Sequence, residues 1–148
     1  MFRGRFEHTV DEKGRTSIPR RFREDLQRNF EDERLVVTTA LDPCLAAYPL
    51  AEWKAFEERV AAESQFNPAV VSLKRAVIAS AVECQVDGHG RILLPAPLRQ
   101  HAGIDKEVVW VGMTRHIEIW ARDRWDEVER KARADTEALS KALSDLGL

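Results

Sequence analysis

An internal repeat limits the folds open to this chain more than any other feature of its sequence. The segment from Val10 to Pro19 can be laid over the segment from Val86 to Pro95 with a shift of 76 residues, so that Val, Asp, Gly, Arg and Pro coincide. Further along the shift becomes 72, where Leu45 to Trp53 lies over Ile117 to Trp125. We therefore expect two copies of one unit of about 60 residues.

Both copies carry the same local pattern, which predicts the element order β-β-α-β-β. Strand-like residues run into an Asp-x-x-Gly turn at residues 11–14 and again at 87–90, and further strand-like residues follow each turn. Aspartate bonds its own backbone in such turns and glycine supplies a positive φ, so a first hairpin is predicted in each copy. The prolines that come next, Pro19 and Pro95, favour the first turn of a short helix.

The remaining elements follow from residue periodicity. Short helices are predicted over 20–27 and 96–101, the latter closed by Gly103, and a second hairpin joins 35–38 to 45–48 and 108–113 to 117–120. Apolar residues at helical spacing predict a helix after each copy, and Asn67-Pro68 predicts the start of a connecting helix. The predicted domains are 1–62, the first unit with its helix, 63–80, the connecting helix, and 81–148, the second unit with a C-terminal helix.

One such unit is too small to bury the apolar faces of its own hairpins. We therefore expect an α+β fold in which the two copies pack together, with interleaved strands as one way to do so. The product is a single barrel with approximate twofold symmetry and flanking helices.

The net charge of the whole chain of 148 residues is -2, which taken alone argues against binding to nucleic acid. Counted by segment, residues 1–30 carry +3 and residues 68–99 carry +2, whereas residues 31–67 carry -5 and residues 100–148 carry -2. The two positive segments are those that begin the repeat units, so the total conceals two basic regions.

Targeting and redox signals are weak. No apolar run approaches the roughly 20 residues of a membrane span, and the N-terminus lacks the apolar stretch of a secretory signal, so a cytoplasmic protein is expected. Cys44 and Cys84 have no CxxC spacing, and both are predicted to be small buried thiols and not a disulfide.

The motifs themselves resemble those of the MraZ family over nearly the whole chain. The resemblance lies in the opening Met1-Phe2-Arg3-Gly4, in Asp11 to Arg15 with Ser17-Ile18-Pro19, and in Asp87 to Arg91 with Ile117 to Trp120. It implies a bacterial protein of duplicated AbrB-like (SpoVT-AbrB) swapped-hairpin fold. It also implies a DNA-binding transcriptional regulator of the division and cell-wall gene cluster, associated with the nucleoid. The resemblance further implies a ring-shaped homo-oligomer, commonly of eight or twelve subunits, that binds short direct repeats in its own promoter.

Candidate site residues fall into two groups. Five basic residues are predicted to contact double-stranded DNA, since hairpins lined with cations can enter the major groove; they are Arg3, Arg5, Lys13, Arg15 and Arg91. Strand alternation would put Arg3 and Arg5 on one face, in one patch with Lys13 and Arg15. Four further residues are predicted to position the turns, namely Asp11, Gly14, Asp87 and Gly90. The second turn holds Gly88-His89 where the first holds Glu12-Lys13, which makes it less positive at neutral pH.

Simpler interpretations stand beside these. The cations can be an ordinary solvated face, and each Asp–Arg pair can be only a local ion pair. An enzyme is disfavoured, because no metal-ligand spacing, nucleophile elbow or phosphate loop occurs, and no cofactor or small-molecule substrate is expected. The second alternative is an antitoxin-type partner-binding module of the same fold, without a repeat operator. Trp53, Trp120 and Trp125 are interpreted as core or subunit-interface packing.

Overall fold

A computed structural model describes all residues of the chain, 1–148. Its elements are β1 (Arg5–Thr9), β2 (Arg15–Ser17), α1 (Arg20–Phe30), β3 (Leu35–Thr39), β4 (Leu45–Pro49), α2 (Leu50–Ala62), α3 (Pro68–Leu73), a π-helical turn (Lys74–Ile78), β5 (Val82–Cys84), β6 (Arg91–Leu93), α4 (Ala96–Ala102), β7 (Glu107–Gly112), β8 (Ile117–Ala121), α5 (Arg122–Ala134) and α6 (Thr136–Asp145). The α+β class and the β-β-α-β-β order of each unit are confirmed.

The strands form a six-stranded antiparallel sheet in the order β1-β7-β8-β4-β3-β5 and a two-stranded ribbon of β2 and β6. The first strand of each unit thus pairs with the third strand of the other unit, because β1 joins β7 and β5 joins β3. This exchange of strands is the swapped-hairpin arrangement of a duplicated unit. Neither half can complete its sheet without the other.

Strand register follows the sequence repeat. Thr16 pairs with Ile92 in the ribbon, and Ala46 pairs with Glu118 at the centre of the sheet. These pairs are separated by 76 and 72 residues, the same shifts that align the two copies. Residues related by a twofold axis pair with each other only where the axis passes, so the approximate axis runs through both pairings.

The first hairpin of each unit differs from its prediction. β1 and β2 share only an isolated bridge between Val10 and Thr16, after which each strand leaves for a partner in the other unit. A hydrogen bond from His8 Nδ1 to the Ser17 carbonyl oxygen (2.7 Å) ties the two strands together in place of a ladder. The turn residues determine the bend, whereas β1 and β2 each form their ladder with a strand of the other unit.

Apolar side chains between the sheet, the ribbon and the short helices make one core of 20 buried residues. Trp110 and Phe22 are fully buried there, and Phe2 and Phe6 meet the Phe22 ring edge-on at centroid distances of 5.7 and 5.1 Å. A smaller cluster on the outer side of the sheet contains Val109, Val111 and Trp120. The prediction that the tryptophans serve packing fits Trp53 and Trp120, which are both buried.

The helices match most of the predicted starts. Asn67 caps α3 by accepting a hydrogen bond from the Ala69 amide (3.0 Å), and Gly103 ends α4 in the left-handed conformation. The prediction of one continuous C-terminal helix is wrong, because α5 ends before Asp135 and α6 begins after it. Asp135 is the N-cap of α6. None of the helices has the length and apolar character that a bilayer crossing requires.

Candidate nucleic-acid interface

The first Asp-x-x-Gly turn holds Arg15 in a fixed posture. Asp11 Oδ1 accepts hydrogen bonds from the Lys13 amide (3.0 Å) and the Arg15 amide (2.8 Å), while Asp11 Oδ2 accepts one from Arg15 Nε (2.7 Å). One carboxylate therefore stabilises the turn with Oδ1 and holds the guanidinium with Oδ2. Because only Nε is used, the two terminal nitrogens of Arg15 remain available to a second acceptor.

The second turn repeats this arrangement. Asp87 Oδ1 accepts from the His89 amide (2.8 Å) and the Arg91 amide (3.0 Å), and Asp87 Oδ2 accepts from Arg91 Nε (2.9 Å). Both arginine side chains are about one third exposed, 33% for Arg15 and 28% for Arg91. Two geometrically equivalent units, each an arginine gripped by an aspartate, therefore face solvent.

Both aspartates are held as carboxylates. Hydrogen bonds from the Arg91 amide above all lower the pKa of Asp87, to about 2, and the Arg15 amide is the chief cause of the lowered pKa of Asp11. Donors that bond the charged form stabilise it, so the aspartates stay ionised and the arginines stay gripped across the physiological pH range.

The β2–β6 ribbon brings the two arginines to one surface. Arg15 lies opposite Leu93 and Arg91 lies opposite Ser17, so these four side chains share the outer side of the ribbon, while Thr16 and Ile92 are buried on the inner side. Arg15 and Arg91 are diagonal neighbours, with Cβ atoms roughly 7 Å apart. We call this outer side, with the two adjoining turns, the ribbon face.

Two further arginines, each from the opposite unit, pack against the turn glycines. Arg99 of the second unit lies beneath Gly14 of the first, where it donates from Nε to the Leu94 carbonyl oxygen (2.9 Å). Arg23 of the first unit lies beneath Gly90 of the second. Arg23 follows Pro19 by four residues, and Arg99 follows Pro95 by four residues. This shared position in the two copies was the sequence signal that could have identified them as supporting residues.

Each turn glycine is required for two reasons. Gly14 and Gly90 have φ values of +89° and +77°, a region that other residues rarely adopt. A Cβ at Gly90 would lie 2.2 Å from Arg23 Nη1, and a Cβ at Gly14 would lie 3.0 Å from Arg99 Nε. The close approach of the supporting arginine therefore adds to the conformational demand.

The turn tips differ in charge. Lys13 and His89 occupy corresponding positions, and both are exposed. The first tip therefore carries a permanent cation, and the second carries a histidine there.

Arg3 and Arg5 lie apart from the ribbon face. Gly4, at φ +92°, separates Arg3 from β1, so the two arginines do not share a strand as expected. Arg5 forms an ion pair with Glu129 of α5. Five residues of extended chain, about 17 Å, lie between Arg5 and the turn that begins after Val10. The single basic patch expected from the sequence is thus divided in two.

Cys44 and Cys84 are free and buried as predicted, and burial raises the pKa of the Cys84 thiol to about 11. No group of three or more His, Cys, Asp or Glu side chains is placed to hold a metal ion.

Comparison with known proteins agrees with the two-unit architecture. The model of the family described as "MraZ protein, putative antitoxin-like" matches residues 1–76 and again residues 77–146. Proteins named "Transcriptional regulator MraZ" from a Thermoanaerobacter species and from Desulfitobacterium hafniense are 39% and 41% identical to this chain over 148 residues, covering the full length of both sequences. A protein of the same name from Pediococcus pentosaceus is 42% identical over 151 residues, also at full coverage of both. The chain therefore belongs to the MraZ family.

Proposed function

We propose that this protein is a transcriptional regulator that binds double-stranded DNA with its ribbon face. The single observation that carries the proposal is the pair of partly exposed arginines, Arg15 and Arg91, each bonded to an aspartate through Nε alone, which leaves both terminal nitrogens unused by that aspartate. The name "Transcriptional regulator MraZ" of the relatives supports the same conclusion.

The geometry suits DNA for a chemical reason. A guanidinium fork fits both a phosphate and the acceptor edge of guanine, and a two-stranded ribbon is narrow enough to enter the major groove. Gripping the arginine in advance reduces the side-chain entropy lost on binding. Lys13, at the exposed tip of the first turn, adds a cation that suits phosphate contact.

Arg3 and Arg5 extend the basic N-terminal segment along the protein. Because Arg5 is already paired with Glu129, we expect its removal to weaken DNA binding less than removal of Arg15.

Assembly is the second part of the proposal. A single ribbon face offers few phosphate contacts, and each contributes a salt-sensitive and sequence-blind increment. A ring of eight or twelve subunits would present many such faces, and an array of short direct repeats in the promoter of its own operon would engage several at once. On the ground of the resemblance to the MraZ family, we propose that the target is the division and cell-wall gene cluster, and that the protein works at the nucleoid.

The test is a binding titration on a promoter fragment with direct repeats. Arg15→Ala should weaken binding by at least tenfold, the loss expected from one good arginine contact. Arg20→Ala is the matched control, because Arg20 is 93% exposed on α1 and outside the turns, and its removal should change affinity little. Equal affinity of the wild-type and Arg15→Ala proteins would contradict the proposal.

A further inference from the structure

A groove of about 680 Å³ lies on the outer side of the second unit and has no occupant in the chain itself. Val111, Trp120, Trp125 and Val128 form its apolar part, and the Trp120 and Trp125 rings pack at a centroid distance of 6.1 Å. Met113, 41% exposed, lies at its rim. Apolar side chains grouped at a surface groove favour contact with another apolar surface.

The first unit shows what belongs at the equivalent place. Helix α2 corresponds to α5 at the shift of 72, and after α2 the chain turns back through α3 so that the π-helical turn lies against β3. Thr38 Oγ1 donates to the Val77 carbonyl oxygen (2.6 Å) and Thr39 Oγ1 donates to the Ala76 carbonyl oxygen (2.7 Å). Thr39 corresponds to Val111 of the groove. The second unit is less covered on the helix side: Trp53 and Val60 of α2 are buried, whereas their counterparts Trp125 and Ala132 are half-buried and exposed, respectively.

Helix α6 cannot fill the groove of its own chain in this way. Five residues, 63–67, turn the chain between α2 and α3, whereas Asp135 alone separates α5 from α6. Leu139, in the second turn of α6, reaches the edge of the groove, and every residue of the helix is exposed. Leu139, Leu143 and Leu146 recur at i, i+4 and i+7 and form an apolar stripe, exposed by 47%, 48% and 77%.

We infer that the α6 stripe of one copy lies in the groove of a second copy, where it takes the place that the connecting segment occupies over the first unit. The groove is an apolar surface with room for a helix, and the α6 stripe is an exposed apolar helix face on the same chain. The two surfaces differ, so the contact is head-to-tail, and repetition of such a contact closes into a ring when the rotation allows it. This inference rests on the proposed oligomer and identifies the contact that builds it.

The experiment measures mass by light scattering for two complementary variants. The stripe variant, Leu143→Glu with Leu146→Glu, leaves the groove intact. The groove variant, Met113→Glu with Ala132→Glu, alters two exposed groove residues and leaves the stripe intact. The control variant, Ser140→Glu with Ser144→Glu, adds the same charge to α6 outside the stripe.

Each of the first two variants should be monomeric alone, and the control should keep the mass of the wild-type oligomer. Mixed in equal amounts, the two monomers should form a dimer, because one intact stripe meets one intact groove. This recovery also shows that both variants are folded.

Stripe and groove variants that keep the wild-type mass, or a mixture that stays monomeric, would overturn the inference. A wild-type protein that is monomeric would overturn both the inference and the proposed oligomer. An oligomeric wild type with an unaffected stripe variant would overturn the inference alone and leave the proposed DNA binding standing.

Discussion

At the scale of single residues, one carboxylate performs two tasks in each turn. Asp11 and Asp87 bond the backbone amides of the turn with one oxygen and grip the following arginine with the other. An exposed ion pair alone contributes little to stability. Under the proposed function, its importance is that it fixes the direction of the guanidinium for contact with DNA.

The turn glycines give the first prediction. Gly90→Ala should destabilise the fold by about 2 kcal/mol, because the residue would have to hold a positive φ and its Cβ would displace the Arg23 guanidinium. Gly88 lies in the same turn, and nothing lies within 4 Å of a Cβ built on it. Gly88→Ala should therefore leave the free energy of unfolding almost unchanged. Urea unfolding of both variants checks this, and equal losses would refute the role assigned to Gly90.

His116 gives a pH-dependent prediction. Burial against the Tyr48 ring, with a centroid distance of 5.1 Å, lowers the pKa of His116 in the folded state, and Glu118 opposes this only in part. The unfolded chain therefore binds a proton more readily than the folded one. Stability is full above the ordinary pKa of 6.5 and falls as the pH drops below it. His116→Phe should flatten the free energy of unfolding between pH 7 and 5, and an unchanged slope would contradict this.

His89 gives a prediction about charge. His89→Lys would give the second turn the cation that the first turn has in Lys13. If both turns meet the phosphate backbone, affinity at pH 7.5 should rise, and the slope of log affinity against log salt should steepen by about 0.9 for each added contact. Ala61→Lys, at an exposed position of α2, adds a single charge outside the ribbon face and serves as a control. An equal gain in both variants would indicate a general charge effect.

At the scale of elements, the exchange of strands makes each half dependent on the other. A chain of residues 1–79 lacks β7, the partner of β1, and β6, the partner of β2. We expect this half to be unfolded as a monomer and to regain structure when residues 80–148 are added. Amide spectra of each half alone and of the mixture check this. A well-dispersed spectrum from a monomeric half would contradict the expected dependence.

Local elements were predictable from their own residues, whereas the exchange of strands between the units was implied only by the resemblance to the MraZ family. Turn chemistry at Asp11 and Asp87, the cap at Asn67 and the glycine at 103 are signals carried by adjacent residues, and the structure has a turn or a helix end at each. The pairing of β1 with β7 depends on contacts about one hundred residues apart in the chain, which no local pattern encodes.

The same distinction applies to the candidate site. Each Asp–Arg pair was visible as a four-residue spacing. That Arg15 and Arg91 lie on one surface, and that Arg23 and Arg99 cross to the other unit, follows only from the exchanged strands. The break at Asp135 was missed because the apolar residues keep helical spacing through α5 and α6, and no proline or glycine marks the interruption.

At the scale of the whole molecule, the distribution of charge matters more than its sum. The chain totals -2, yet the segments that contain the two turns are positive. The pairing of β2 with β6 joins these two segments on the ribbon face. The negative segments are then available to limit non-specific attraction to phosphates elsewhere on the surface.

The central claim is that the ribbon face meets DNA, and the salt dependence of binding tests it most directly. Wild-type protein and the Arg15→Ala/Arg91→Ala variant would be titrated against one promoter fragment with direct repeats over a range of salt concentrations. Loss of two phosphate contacts should reduce the magnitude of the slope of log affinity against log salt by about 2 for every subunit bound. An unchanged slope and affinity would show that the two arginines do not contact DNA and would contradict the account.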